Sequence, residues 1–458
     1  MKKTAIIILI FITQLIFSSS FFASHVPGGN ITYRCLGNNQ YEITLTMYED
    51  CGSAFETNSN ESIDIVSSCG DNLSLSLTNT IFQQNISQLC PSSLAQSECN
   101  GGNLPGVYLH EWKGTITLPS QCDSWTFEFS SCCRNASSNL VGSSSNYYFY
   151  ATLNNLDAPC NSSPTISAPP IPYYCVNQPV CYNLGIVETD GDSLAFSLVN
   201  ALENATTSVS YQGGFTGALP INGITIDTES GLVSFTPTMI GNFVVVIRVD
   251  EYQNGQLIGT IVQDFTFEIA NCTNQIISCN NSSISNVIGA ATQIDASTIQ
   301  MCEGVPFSFD LTFTDPDAAD SIFVESNILT VLPGAVVSYS YPNLPSTNIM
   351  SMTVAWTPPI GSSNMNNIFT VIVRDNACPV SGLQTLVYTI DVIGPTYAGL
   401  DVTICQGNGV NITAVNGSTF NWTSISGEPM TAANFSCQNC PSSFASPTST
   451  TVYRVVSD

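Results

Sequence analysis

Tyr41-Glu42-Ile43-Thr44-Leu45-Thr46-Met47-Tyr48 alternates large apolar side chains with polar ones, residue by residue. A period of two sends the two sets to opposite faces of an extended chain, so this stretch reads as a half-buried β-strand. Trp125-Thr126-Phe127-Glu128-Phe129 alternates in the same way. Asn242-Phe243-Val244-Val245-Val246-Ile247-Arg248-Val249 and Thr385-Leu386-Val387-Tyr388-Thr389-Ile390-Asp391-Val392 are more continuously apolar, as in strands buried on both faces. Clusters of Gly, Pro, Asn, Asp and Ser separate such runs, and helical periodicity is hard to find. Short strands with frequent turn signals predict an all-β chain of sandwiches or barrels.

Working outward, the 458 residues exceed what one apolar core supports, so three or four domains are expected. Residues 1–23 have the layout of a secretory signal peptide: basic Lys2 and Lys3, an apolar run from Ala5 to Ile16, and a small residue at Ala23. Residues 24–166 read as a Cys-rich β domain and 167–271 as a sandwich that follows the Pro-rich Ala168-Pro169-Pro170-Ile171-Pro172. Residues 286–394 read as a second sandwich and 395–458 as a final repeat. No segment beyond the amino terminus is long and apolar enough to span a membrane.

Eighteen cysteines with only His25 and His110 beside them favour disulfides over zinc, which wants clustered Cys and His pairs. Nine of them fall in 24–166, so one must bond outside that segment, to Cys175 or Cys181 for example, or stay free. Adjacent Cys132 and Cys133 are expected to bond different partners. Cys437-x-x-Cys440, in a strand-rich region, reads as a structural pair rather than a redox motif. The formal net charge of −26 repels nucleic acid and anionic lipid and attracts cations. With 43% hydrophobic and only 9% charged residues, the composition is not that of a disordered chain.

The second and third segments read as divergent repeats. One carries Glu188-Thr189-Asp190-Gly191-Asp192, then Phe235-Thr236-Pro237, then a valine-rich strand ending in Asp250 and Glu251. The other carries Asp315-Pro316-Asp317 and Asp320, then Trp356-Thr357-Pro358, then a strand ending in Asp375. Two carboxylates spaced Asp-x-Asp in a turn can share one hard cation, and the acids at the strand ends supply further oxygens. The candidate calcium ligands are therefore Glu188, Asp190, Asp192, Asp250, Asp315, Asp317, Asp320 and Asp375. An ordinary solvated turn is the competing reading, since Asp and Gly favour turns without any metal.

Gly28-Gly29-Asn30-Ile31-Thr32-Tyr33-Arg34-Cys35, Tyr48-Glu49-Asp50-Cys51-Gly52 and Cys132-Cys133-Arg134-Asn135 resemble the opening of large secreted surface proteins of gliding Bacteroidetes-type bacteria, the gliding-motility-associated proteins of type IX secretion. Gly223-Ile224-Thr225-Ile226-Asp227 through Gly231-Leu232-Val233 is similar to the cadherin-like and immunoglobulin-like repeats of that family, and Cys437-Gln438-Asn439-Cys440-Pro441 to another of its repeats. The resemblance implies tandem immunoglobulin- or cadherin-like sandwiches after the disulfide-rich domain. Such proteins usually end in a sorting domain. This sequence stops at Asp458 in a repeat strand, so the expectation is a truncated sequence or a different export route.

Catalytic constellations are thin. His110 beside Glu111 could serve as a base, but no Gly-x-Ser-x-Gly or His-Glu-x-x-His accompanies it. The expected function is that of a secreted, non-catalytic protein of adhesion or structural display at the outer cell surface. Its partners would be a surface glycan or protein, or neighbouring surface proteins. The alternatives are the non-catalytic repeat region of an extracellular hydrolase precursor, and a carbohydrate-binding protein with surface Trp and Tyr as stacking platforms.

Overall fold

The structure, a computed structural model, describes residues 26–457 except 52–59, 143–144, 169–172, 189, 278, 280–281, 365–366, 406 and 417–418. The signal peptide expected over 1–23 lies outside the described residues. The chain is 52% strand and 3% helix, which fixes the all-β class.

The alternating stretch forms the strand Gln40–Asp50, with Tyr41, Ile43, Leu45 and Met47 all buried. It pairs with Gly28–Gly37 on one side and with Val107–Thr117 on the other. The antiparallel path then runs through Asn72–Asn85, Asn60–Ser67 and Trp125–Ser131 to Tyr147–Leu153. Its two ends meet on a single long strand, Gln256–Ala270. That strand pairs with Tyr147–Leu153 at residues 259–261 and with Gly28–Gly37 at Asp264. Its other edge is taken along its whole length by Gly241–Gln253. Closing a sheet on itself removes the exposed edges that would otherwise pair with other chains. The Gly28-Gly29 pair is needed at the closure, because a Cβ on Gly29 would lie 2.5 Å from the Phe149 ring and one on Gly28 would strike the Asp264 backbone.

Segments 24–166 and 167–271 therefore share one sheet and one apolar core, running from Val26 to Ile276. The chain does not separate near 166, because the strand that completes the first segment's sheet comes from the end of the second.

Residues 284–393 build a second core in a two-sheet sandwich, which Cys181 and Ile277 join from the preceding segment and linker. One sheet orders Ile284–Gly289, Phe307–Thr314, Ile349–Trp356 and Val336–Ser340. The other orders Ala291–Gln293, Thr298–Cys302, Leu383–Ile393, Ile368–Arg374 and Phe323–Ser326. The beginning of the module thus splits between the two sheets, and Thr298–Cys302 lies parallel to the final strand. Four strands facing a sheet of three, extended by that parallel arm and its short partner Ala291–Gln293, is the immunoglobulin arrangement. The preceding segment repeats the feature, with Tyr173–Cys175 parallel to the end of Gln256–Ala270. The last segment is smaller. Two two-stranded sheets, Val410–Thr413 with Ser442–Ala445 and Asn421–Ser426 with Val452–Val456, enclose Trp422 and Phe435.

Sixteen cysteines pair, which is the usage of an extracellular protein. Cys302 and Cys405 are unpaired and exposed. Cys437 bonds Cys440, as the strand-rich context suggested. Two expectations are corrected. Cys132 bonds its neighbour Cys133 across a cis peptide that brings their Cα atoms to 3.1 Å. The odd cysteine of the first segment is Cys90, and it bonds neither Cys175 nor Cys181 but Cys378, in the third module. Those two instead bond Cys272 and Cys279, in the stretch that leads into that module. Among the described residues no helix is long and apolar enough to cross a membrane.

Candidate functional site

The two acidic turns sit where one segment hands over to the next. In the first, Glu188 folds back over its own turn and accepts hydrogen bonds from the backbone N–H groups of Asp190 at 2.7 Å, Gly191 at 2.6 Å and Asp192 at 2.9 Å. The turn needs a left-handed residue at its centre, and Gly191 supplies it at φ +87°. Asp192 is buried. Its Oδ1 accepts from Gln253 Nε2 at 3.1 Å, and its Oδ2 has no partner. Glu251, fully buried on the valine-rich strand, accepts from Asn161 Nδ2 at 2.6 Å through Oε2, and its Oε1 has no partner. Asn161 comes from the preceding segment, and its own Oδ1 is also unpartnered. Next to it, the Ser162 N–H donates to Asp190 Oδ2 at 2.7 Å. Carboxylate oxygens of Glu188, Asp192 and Glu251 all lie within 4.8 Å of one another.

The second turn repeats this wiring. Asp375, buried at the end of the equivalent strand, accepts from Asn274 Nδ2 at 2.7 Å. Asn274 again belongs to the linker before the module, and its Oδ1 is unpartnered. Next to it, the Gln275 N–H donates to Asp317 Oδ2 at 2.8 Å. Asp315 is 1% exposed. Its Oδ1 accepts from the Asp317 N–H at 2.8 Å, and its Oδ2 has no partner. Oxygens of Asp315, Asp320 and Asp375 lie within 4.8 Å of one another.

Crowding buried carboxylates raises their proton affinity. Burial, and then the charges of Glu188, Asp192 and Asp190, push Glu251 up to about 9 against the pull of its Asn161 hydrogen bond. Burial, then Asp375, Asp320 and Asp317, push Asp315 up to about 7, although the Asp317 N–H lowers it. Glu188, Asp192 and Asp320 are raised as well, each chiefly by burial. A buried oxygen with no hydrogen-bond donor is costly to leave so. Each cluster holds such oxygens from both carboxylate and amide, and neither contains sulfur or imidazole. That donor set fits a hard divalent cation and suits calcium better than zinc.

Of the eight candidate ligands, the structure brings Glu188 and Asp192 together at one junction, and Asp315, Asp320 and Asp375 at the other. Asp190 and Asp317 hold the linker backbone beside the clusters. Asp250 is corrected: it accepts from Arg248 Nε at 2.8 Å and Thr260 Oγ1 at 2.6 Å, away from the cluster, because neighbouring residues of a strand face opposite ways. Glu251 takes its place. Asn161 and Asn274 escaped the sequence reading. Their one signal is position, each falling within two residues after a cysteine, Cys160 or Cys272, at the end of a segment.

His110 does not pair with Glu111. It is fully buried, its Nε2 lies 2.7 Å from Glu49 Oε2 and its ring stacks on Trp112, while Glu111 pairs with Lys113. All four tryptophans are buried, so none is a surface platform for sugar stacking.

No family profile and no curated protein matches the chain. Among solved structures, a putative α-galactosidase of Bacteroides fragilis aligns at 17% identity and TM-score 0.16, over 23% of this chain and 17% of that one. The mouse nectin-like molecule 4 ectodomain, three immunoglobulin domains, aligns at 11% identity and TM-score 0.22, over 62% of this chain and 88% of that one. Immunoglobulin domains 1–5 of Sidekick-1 align at 9% and 0.20, over 92% and 74%. The chain spans under a fifth of the galactosidase. Likenesses this distant say nothing of what the chain binds or catalyses. The class rests on its own topology: a disulfide-stapled, extracellular all-β protein with immunoglobulin-like modules.

Proposed function

We propose that this protein is a non-catalytic adhesion or display protein of the cell surface, and that calcium bound at its two junctions braces the shared first core at one and fixes the next module to it at the other. On the bacterial outer surface that the sequence resemblance implies, the modules would present loops to a glycan, a protein ligand or a neighbouring surface protein. The observation that carries the reading is the repeated junction. Twice, a linker amide and a linker N–H meet an acidic turn and a strand-end carboxylate, and twice buried oxygens are left without a donor. A cation there would satisfy those oxygens and cancel the mutual repulsion of the acids.

Isothermal titration of the full-length mature chain with calcium tests it. Two sites are expected, with Asp192→Asn removing one and Asp315→Asn the other. Sodium at matched ionic strength controls for screening. If calcium shifts the melting temperature no more than sodium does, the turns are only solvated and the reading falls. Attachment of protein-coated beads to cells in calcium and in chelator then tests the adhesive role.

A further inference from the structure

The two junctions place the strand-end acid differently. Glu251 lies inside a hairpin ladder, opposite Gly259, and the two strands are joined by the tight turn Asn254-Gly255 with both residues at positive φ. Asp375 lies just beyond its strand, at the start of an eight-residue loop, 375–382, between Ile368–Arg374 and Leu383–Ile393. That loop shapes the second cluster in two ways. It wraps Asp375 Oδ1, which accepts the N–H groups of Ala377 at 3.0 Å and Gly382 at 2.7 Å. Its Asn376 Oδ1 accepts the N–H of Ser321 at 2.7 Å and so holds the residue next to Asp320. Two of the three clustered acids therefore depend on a loop that no ladder supports.

The tip of the loop is fastened to the first module. Cys378 bonds Cys90, the Cys90 N–H donates to Pro379 O at 3.0 Å, and Leu89 bridges Val380. The Ser381 N–H donates to Gln88 O at 3.2 Å, and Gln88 Nε2 donates to Ser381 O at 2.6 Å and to Tyr173 O at 3.2 Å. Gln88, Leu89 and Cys90 are buried in this contact.

We infer that Gln88–Cys90 of the first module is a positioning element for the second cation site, acting through the Cys90–Cys378 bond on the 375–382 loop, and that the first site has no such dependence. The inference rests on the calcium reading above. An unfastened loop would have to be ordered by the cation itself, and that ordering is subtracted from the binding free energy.

The test is calcium titration of the full chain carrying Cys90→Ser with Cys378→Ser, and separately Gln88→Ala, which keeps the disulfide. In the double variant the second site should weaken about tenfold or more while the first keeps its wild-type affinity, which also reports that the chain is folded. Gln88→Ala should weaken the second site alone, by less. Wild-type affinity at both sites in the double variant would overturn the positioning role and leave the calcium reading intact. Equal loss at both sites would show a global stability effect and overturn it too. A wild-type chain that binds no calcium removes the calcium reading, and this inference with it.

Discussion

The two acidic junctions use the same chemistry in unlike frames. At the first, the linker, the acidic turn and the strand-end acid surround one shared core, and Glu251 is held by the ladder on both sides of its position. At the second, the linker, the acidic turn and the strand-end loop meet between two cores, and a disulfide from a distant segment supplies the rigidity. The comparison teaches that the repeated unit is the set of donors, namely a linker amide, a linker N–H, an acidic turn and a strand-end carboxylate. How those donors are held still is solved separately each time.

The largest expected effect breaks both junctions at once. Stripping calcium should lower stability by about 2.7 kcal/mol for each site that had been at a hundred times its dissociation constant. Thermal melts in calcium, in chelator and in matched sodium measure it, and Asp192→Asn combined with Asp315→Asn should make the three melts coincide.

Gly259→Ala strikes only the first frame. Its Cβ would lie 2.5 Å from Glu251 Oε2 and 2.6 Å from the Tyr33 hydroxyl. A loss of about 1–3 kcal/mol is expected from overpacking, along with first-site calcium binding while the second site survives. Retention of both sites at full affinity would show that Glu251 does not need this clearance.

Acidity separates the empty from the filled state. In the calcium-free chain, Glu251 at about 9 and Asp315 at about 7 hold protons that the unfolded chain releases near ordinary carboxylate values. Their contribution to stability is present at low pH and is lost as pH rises through 7 and then 9. Between pH 8 and pH 7 the stability of the calcium-free chain should therefore rise on acidification, by on the order of 1–2 kcal/mol. With calcium present the trend should reverse, because protons compete with the cation for the same oxygens.

The smallest effect sharpens the assignment. Asp250→Asn should leave two calcium sites and change stability by less than about 1 kcal/mol, since its partner Arg248 is partly exposed. A lost site would put Asp250 back among the ligands.

Local features of the fold were readable in the sequence because strand alternation is local. Tyr41, Ile43, Leu45 and Met47 face the core for the reason their spacing gave, as do Trp125, Phe127 and Phe129. Closure of the first sheet by Gln256–Ala270 was not readable, because pairing between strands more than a hundred residues apart leaves no mark in either one. The partner of Cys90 was hidden for the same reason. At the sites, acidic turns are conspicuous and were found. The choice between Asp250 and Glu251 depends on which face of a doubly buried strand looks toward the turn, and a continuous valine run does not say. Asn161 and Asn274 carry no charge and sit in ordinary linker sequence, so only their geometry gives them away.

The Cys90–Cys378 bond also decides how the chain responds to being pulled. Tension applied outside the pair crosses from one sulfur to the other and bypasses the 288 positions that separate them. Both junctions, from Asn161 to Asp375, lie inside that bypassed loop, so any cation there governs shape while the sulfur bond carries the force. Only a reductant would release the enclosed length, about 1,000 Å of extended chain, so the bond is a chemical catch on this extracellular chain.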